Sequence, residues 1–113
     1  MDYFTDEQMQ TALQSTEPYT VVILSKTVKR ASSGADAVIW EHGRRNFGLR
    51  AQGDLAVVCP ISDESDFAGI YIFAGSPKEV REIVDGDPAV RAGILTYTIH
   101  ATRTFPGDAL PRH

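Results

Sequence analysis

Two predicted strands of this sequence are apolar on both faces, and this feature limits the available folds most strongly. Residues 19–24 and 67–74 are runs of β-branched and aromatic residues. In the second run, Ile70 falls on one face and Tyr71 on the other, yet both are apolar. A sheet with one face in water alternates apolar and polar residues, so both faces of this sheet must be covered. The simplest cover is a second copy in a two-fold homodimer. The alternative is an N-terminal helix folded over the sheet.

The predicted elements follow the order β-α-β-β-α-β, which is the ferredoxin-like plan of an α+β fold. The predicted strands are residues 19–24, 55–59, 67–74 and 94–102, and the predicted helices are residues 36–52 and 77–85. An acidic turn joins the second and third strands into an antiparallel hairpin. We therefore predict a four-stranded antiparallel sheet with both helices on one of its faces.

An additional short helix is predicted ahead of the first strand. Thr5 and Gln8 have the spacing of a capping box, in which each side chain bonds the other residue's backbone. The chain has 113 residues, which suits a single domain. We expect residues 1–18 to form an N-terminal helical extension and residues 19–113 to form the ferredoxin-like domain.

The charge balance argues against nucleic acid as a partner. The chain has 11 Lys and Arg against 15 Asp and Glu, a net charge of −4, whereas nucleic-acid binding needs a concentrated basic surface. The densest basic residues are predicted to form a solvated face; they are Lys26, Lys29, Arg30, Arg44 and Arg45.

Cysteine content and hydropathy bear on the location of the protein. Cys59 is the single cysteine, so no disulfide can form within the chain, and we expect it to be a small buried apolar residue. No apolar run reaches the length of a membrane span, and residues 1–7 lack the basic start of a signal peptide. We expect a cytoplasmic protein that has no membrane partner.

One face of the predicted helix 36–52 carries a histidine among apolar residues. Ile39, His42 and Leu49 recur at helical spacing, and Asn46 lies on the same face. An imidazole on such a face needs a hydrogen-bond partner. The simplest interpretation of His42 is therefore a hydrogen-bonded core histidine.

The sequence context of Asp87 allows two interpretations. It precedes Pro88, and an aspartate followed by a proline is typical of a helix N-cap, a role that requires no catalysis. The predicted topology also allows Asp87 and His42 to meet at one end of the sheet. A carboxylate beside an imidazole sets its tautomer and raises its basicity, so the two residues are a candidate general base.

The other potentially reactive residues give weaker signals. His100 is predicted on a partly exposed face of the last strand, and His113 is terminal. Together with Cys59 they lack metal-ligand spacing. The sequence has neither a phosphate-binding glycine loop nor a nucleophile elbow. We therefore expect no metal and no cofactor.

Three segments in the second half of the chain form an ordered set of motifs. Residues 69–73 read Gly-Ile-Tyr-Ile-Phe, residues 75–84 read Gly-Ser-Pro-Lys-Glu-Val-Arg-Glu-Ile-Val, and residues 87–93 read Asp-Pro-Ala-Val-Arg-Ala-Gly. His42 on the earlier helix and Gly53 at its end precede them. In this order the motifs resemble the YCII-related (YciI-like) family.

The resemblance covers residues 19–111 and implies a ferredoxin-like fold that dimerises sheet to sheet, the dimeric α/β barrel. It also implies an active site built from a histidine and an aspartate, which correspond here to His42 and Asp87. The sequence departs from the family pattern at Cys59, where the family has a glycine before the proline. The cysteine side chain is expected to narrow or reshape the pocket.

Three functions are compatible with these residues. In the first, His42 is the general acid or base of a small enzyme, oriented by Asp87, in an elimination, isomerisation or dehydrochlorination-like reaction on a small organic substrate. Tyr71 or Tyr97 would line its pocket, depending on strand register. In the second, the dimer is a non-catalytic module that binds a small ligand or serves as an accessory subunit. The third, a cofactor-independent oxygenase, rests on fold analogy alone.

Overall fold

The computed structural model describes residues 1–113. In chain order the elements are α1 (Asp6–Gln14), β1 (Glu17–Lys26), a 3-10 turn (Val28–Ala31), α2 (Ala35–Gln52), β2 (Leu55–Pro60), β3 (Phe67–Phe73), α3 (Pro77–Asp85), α4 (Pro88–Arg91) and β4 (Leu95–Thr104). The predicted order of elements is confirmed. The first and last strands of the chain are longer than predicted, because pairing between β1 and β4 continues to Glu17 and Thr104.

The sheet has the antiparallel strand order β2-β3-β1-β4 expected of a ferredoxin-like fold. Val22 on β1 lies opposite Tyr71 on β3 and opposite Ile99 on β4. Residues directly opposite each other share one face of a sheet. This register places Tyr71 on a central strand, on the same face as the buried Val22.

The core lies between this face of the sheet and the helices. Strands β1, β2 and β3 and helix α3 contribute most of its members: Val22, Leu24, Leu55, Tyr71, Phe73, Val80 and Val84. Ser76 is the N-cap of α3, and its hydroxyl accepts a hydrogen bond from the Glu79 amide; Pro77 is the first helical residue. Val80 and Val84 are four residues apart and therefore face the sheet together.

The opposite face of the sheet is only partly covered. Val21 and Ile23 are half-buried there, and Ile70 is 40% exposed. The predicted capping box of α1 is confirmed, but α1 buries none of its residues and does not cover this face. Residues 105–110 instead line a cleft of about 530 Å³ with Tyr19 and other residues at one end of the face.

Cys59 differs from its prediction. Its side chain is exposed, because a register shift after Leu55 places Cys59 opposite Ile70 on the partly covered face. It therefore lies across the sheet from His42 and does not reshape the cavity beside that histidine. None of the helices combines the length and the hydropathy that crossing a bilayer requires.

Candidate functional site

Helix α2 carries His42 toward the sheet. His42 and Asn46 are buried and the flanking Ile39 and Leu49 are half-buried, so the predicted stripe is confirmed. The helix ends at Gly53, whose φ of 89° is left-handed and whose amide donates to carbonyls of the last turn. The outer face of α2 remains open to solvent.

Asp87 makes both contacts that its sequence context suggested. Its Oδ1 accepts hydrogen bonds from the amides of Ala89 at 2.8 Å and Val90 at 3.4 Å, which caps α4. Its Oδ2 lies 2.6 Å from Nδ1 of His42. Asp87 is 3% exposed and His42 is 7% exposed, so the contact is shielded from water. The cap holds the carboxylate in place and thereby orients the imidazole.

The surroundings of Asp87 keep it ionised. Burial by itself raises the pKa of the carboxyl, but the hydrogen bond and charge of His42 and the two amides of α4 together bring the pKa below its usual value. A carboxylate only accepts hydrogen bonds, so Nδ1 of His42 carries the proton. In the neutral ring, Nε2 is then the nitrogen with a free lone pair.

Two side chains compete for that lone pair. Nδ2 of Asn46 lies 3.1 Å from Nε2, and the hydroxyl of Tyr71 lies 3.2 Å from it. Burial, followed by the charge of Asp87, raises the pKa of Tyr71 to about 12, so the phenol is protonated and donates. A single lone pair makes one strong hydrogen bond, so either donor can turn to a ligand without leaving Nε2 unpaired.

Gly69 makes room for the Tyr71 ring. The two residues share one face of β3, and a Cβ at position 69 would lie 2.9 Å from Cε1 of the ring. The ring therefore rests directly on the strand backbone, which directs its hydroxyl to His42. A side chain at position 69 would therefore push the Tyr71 ring away from its present position.

A cavity of about 390 Å³ opens beside these residues. His42, Asn46 and Tyr71 form its polar wall. Most of the remaining lining is apolar and comes from α2, β2, the β2–β3 turn, β3 and β4: Ile39, Phe47, Val58, Pro60, Ile61, Ala68 and Leu95. This size and composition are typical of small-molecule sites.

Sequence reasoning missed the participation of Asn46 in this site. Its spacing of four residues from His42 on one helix is the signal that indicates contact. Tyr97 lies on the same sheet face as Tyr71, but its hydroxyl donates to Asp85 and it does not line the cavity. His100 is exposed and contacts Thr98. No group of three or more potential metal-binding side chains lies together.

The raised pKa of Tyr71 predicts a late tyrosine titration. We expect absorbance at the phenolate wavelength to show one tyrosine that ionises near pH 12, because burial and Asp87 disfavour the phenolate. Above pH 10, the ordinary pKa of tyrosine, the unfolded state loses this proton before the folded state does. The free energy of unfolding should therefore fall as the pH rises. Tyr71→Phe should remove the late step, whereas Tyr97→Phe should keep it. A late step that survives in Tyr71→Phe would contradict this assignment.

Comparisons with known proteins bear on the fold alone. No family model matches the sequence, and no curated protein matches it. Among solved structures, the chain is similar to the 5-chloro-2-hydroxyhydroquinone dehydrochlorinase of Burkholderia phenoliruptrix AC1100 in complex with 2,5-dihydroxybenzoquinone. The TM-score is 0.50 and the identity 18%, over 73% of this chain and 90% of that chain. The likeness supports the ferredoxin-like α+β fold described above.

Proposed function

We propose that this chain is a small enzyme of the YCII-related family that uses His42 and Asp87 for general acid–base chemistry on a small organic substrate. The observation that carries the proposal is the 2.6 Å contact between Nδ1 and Oδ2 behind a histidine that lines a cavity. The solved structure with a similar fold is named a dehydrochlorinase, which supports an enzyme on this fold.

The proposed chemistry begins at Nε2 of His42. A substrate proton moves to Nε2, and Asp87 stabilises the imidazolium that forms. The electron pair of the broken bond forms a new double bond while a leaving group departs with its own pair, which is an elimination. Return of the proton to another carbon gives an isomerisation instead. Tyr71 is placed to turn its hydroxyl from Nε2 to a substrate oxygen.

The test is a turnover screen over hydroxybenzoates, halogenated hydroquinones and lactones, followed by NMR of the products. Wild-type protein is compared with His42→Gln, and oxygen uptake is recorded in parallel. Turnover that depends on His42 without oxygen uptake supports the proposal. Turnover with stoichiometric oxygen uptake would point to the oxygenase alternative, and turnover unchanged in His42→Gln would contradict the assignment of His42.

One observation favours a non-catalytic binding module as the second candidate. Both ring nitrogens of His42 already have protein partners, and such a buried, satisfied histidine needs no substrate. In that case ligands should saturate the cavity and shift the resonances of its lining residues, while no compound of the screen is converted.

We further propose that two copies pack through the partly covered face of the sheet. Val21, Ile23 and Ile72 are half-buried there, although neither α1 nor any other helix lies on that face. A second copy packed on this apolar surface removes it from water, and this burial favours association of the two copies. A two-fold axis would place each sheet against its equivalent.

The dimer proposal predicts the effect of a charge at the centre of this face. Ile72→Asp should halve the mass in solution, from about twice 12.4 kDa to 12.4 kDa, because a buried carboxylate without a partner opposes association. Light scattering after size exclusion measures this mass. Val28→Asp is the matched control, since Val28 is 94% exposed and lies on the 3-10 turn. A wild-type protein that stays monomeric at high concentration would contradict the proposal.

A further inference from the structure

The cavity beside His42 differs in charge from the rest of the molecule. The chain is acidic, with 15 Asp and Glu against 11 Lys and Arg. Even so, no acidic residue lines this cavity, and its two charged lining residues are Lys26 and Arg30. These residues were expected to be a solvated face. The end of β1 and the 3-10 turn after it instead bring them to the cavity.

Lys26 lies at the cavity and has N–H donors that no other group of the protein uses. It is half-buried at the end of β1, and its Nζ donates to the carbonyl of Ser65 at 3.0 Å. No carboxylate lies within 4.0 Å of its ammonium group. An ammonium carries three N–H donors, so two remain for a ligand.

Arg30 makes one ion pair, and the partner carboxylate is exposed to solvent. Its Nη1 donates to Oδ1 of Asp36 at 2.8 Å, where the Asp36 side chain is 93% exposed and that of Arg30 is 33% exposed. Ion pairs in such positions contribute little free energy because water screens them. The guanidinium has five N–H donors, so it can bind a second anion beside Asp36.

We propose that this cavity binds a one-ring organic anion, with a carboxylate of the ligand at Lys26 and Arg30. This inference rests on the proposed function and names its substrate class. The ring would lie against the apolar lining contributed by residues such as Val58 and Leu95. A hydroxyl or carbonyl at the far side of the ring would meet Tyr71 and His42, the groups proposed to move the proton.

Size and polarity select this class over others. A volume of about 390 Å³ accommodates a single substituted ring, and two cations match one acid group better than the several charges of a polyphosphate. The apolar lining disfavours sugars, whose hydroxyl groups would lose hydrogen bonds to water. Two cations in the same cavity as the hydrogen-bonding groups of His42, Asn46 and Tyr71 match an acid group and a hydroxyl on the same ring.

The test compares 4-hydroxybenzoate with the neutral 4-hydroxybenzamide by NMR titration of the wild-type protein. A ligand of about ten non-hydrogen atoms is expected to have a dissociation constant of about 1 mM. We expect the amide to bind about tenfold more weakly, because it lacks the charge-assisted hydrogen bonds. Arg30→Gln and Lys26→Gln should each weaken the benzoate about tenfold and leave the amide nearly unchanged.

Arg103→Gln is the matched control. Arg103 is exposed near the far end of β4 from Leu95, so its loss changes the net charge equally without touching the cavity. The affinity of the Arg103→Gln variant for the benzoate should equal that of the wild type. The inference is overturned if the benzoate and the amide bind equally, if neither binds, or if Arg103→Gln weakens the benzoate as much as Arg30→Gln does.

A His42 variant separates this inference from the proposed function. His42→Gln should still bind 4-hydroxybenzoate, because the carboxylate contacts Lys26 and Arg30. If that binding persists while the wild type converts no compound, the anion site stands and the catalytic proposal fails. If the wild type converts neutral compounds through His42 and ignores the benzoate, the catalytic proposal stands and the anion site fails.

Discussion

Replacing His42 by glutamine is expected to lower turnover by about a factor of 10² to 10⁴ while the protein stays folded. Glutamine retains an N–H that can donate to Asp87, but it has no basic nitrogen to take a proton. The rate of product formation under saturating substrate measures the loss. A circular dichroism spectrum and a thermal melt show whether the fold is retained.

Alanine is a less informative replacement at this position. It would leave Oδ2 of Asp87 buried without a partner and would open space beneath the Tyr71 hydroxyl. A buried polar group without a hydrogen-bond partner destabilises the fold by about 1–3 kcal/mol. A lower activity of the alanine variant could then result from unfolding and not from the loss of a base. His42→Gln avoids that ambiguity.

Replacing Asp87 by alanine is expected to produce the largest loss of stability. The change removes the N-cap of α4, worth about 1 kcal/mol, and leaves the Nδ1–H of His42 buried without an acceptor, at about 1–3 kcal/mol. Together these are about 2–4 kcal/mol. For a domain of this length, the midpoint of thermal unfolding should fall by about 10–15 °C. Urea unfolding gives the free energy directly.

Two further variants divide the Asp87 effect into its parts. Asp87→Ser keeps a good N-cap but does not reach His42, so it should recover about 1 kcal/mol relative to alanine. Asp87→Asn keeps the cap oxygen but offers an N–H to Nδ1 of His42, which favours the opposite tautomer. It should therefore be more stable than Asp87→Ala and still lack activity. Equal stability of the alanine and serine variants would contradict a capping role.

Local patterns in the sequence predicted much of the framework of the site. The spacing of three and four residues on α2 indicated the buried face of His42, and the Asp87-Pro88 pair indicated an N-cap. Such signals involve residues within a turn of one another, so they depend little on the rest of the fold. The hairpin of β2 and β3 was predicted for the same reason, because a short turn forces the two strands to pair.

Other parts of the site depended on contacts between distant elements. Cys59 was expected to be buried, but its face was decided by a register shift on an edge strand. Tyr71 and Tyr97 were equivalent candidates in the sequence. Tyr71 reaches His42 because β3 lies beside β1 under α2, whereas Tyr97 on β4 reaches Asp85 instead.

The sequence by itself determined the order of elements, the caps of α1 and α4 and the buried face of α2, because these follow from interactions between residues close along the chain. Only the tertiary structure decided which side chains meet. His42 and Asp87 are 45 residues apart, and Lys26 shares a cavity with His42 because β1 ends beside it. Such contacts depend on strand order, register and helix docking, which arise from the packing of the whole core.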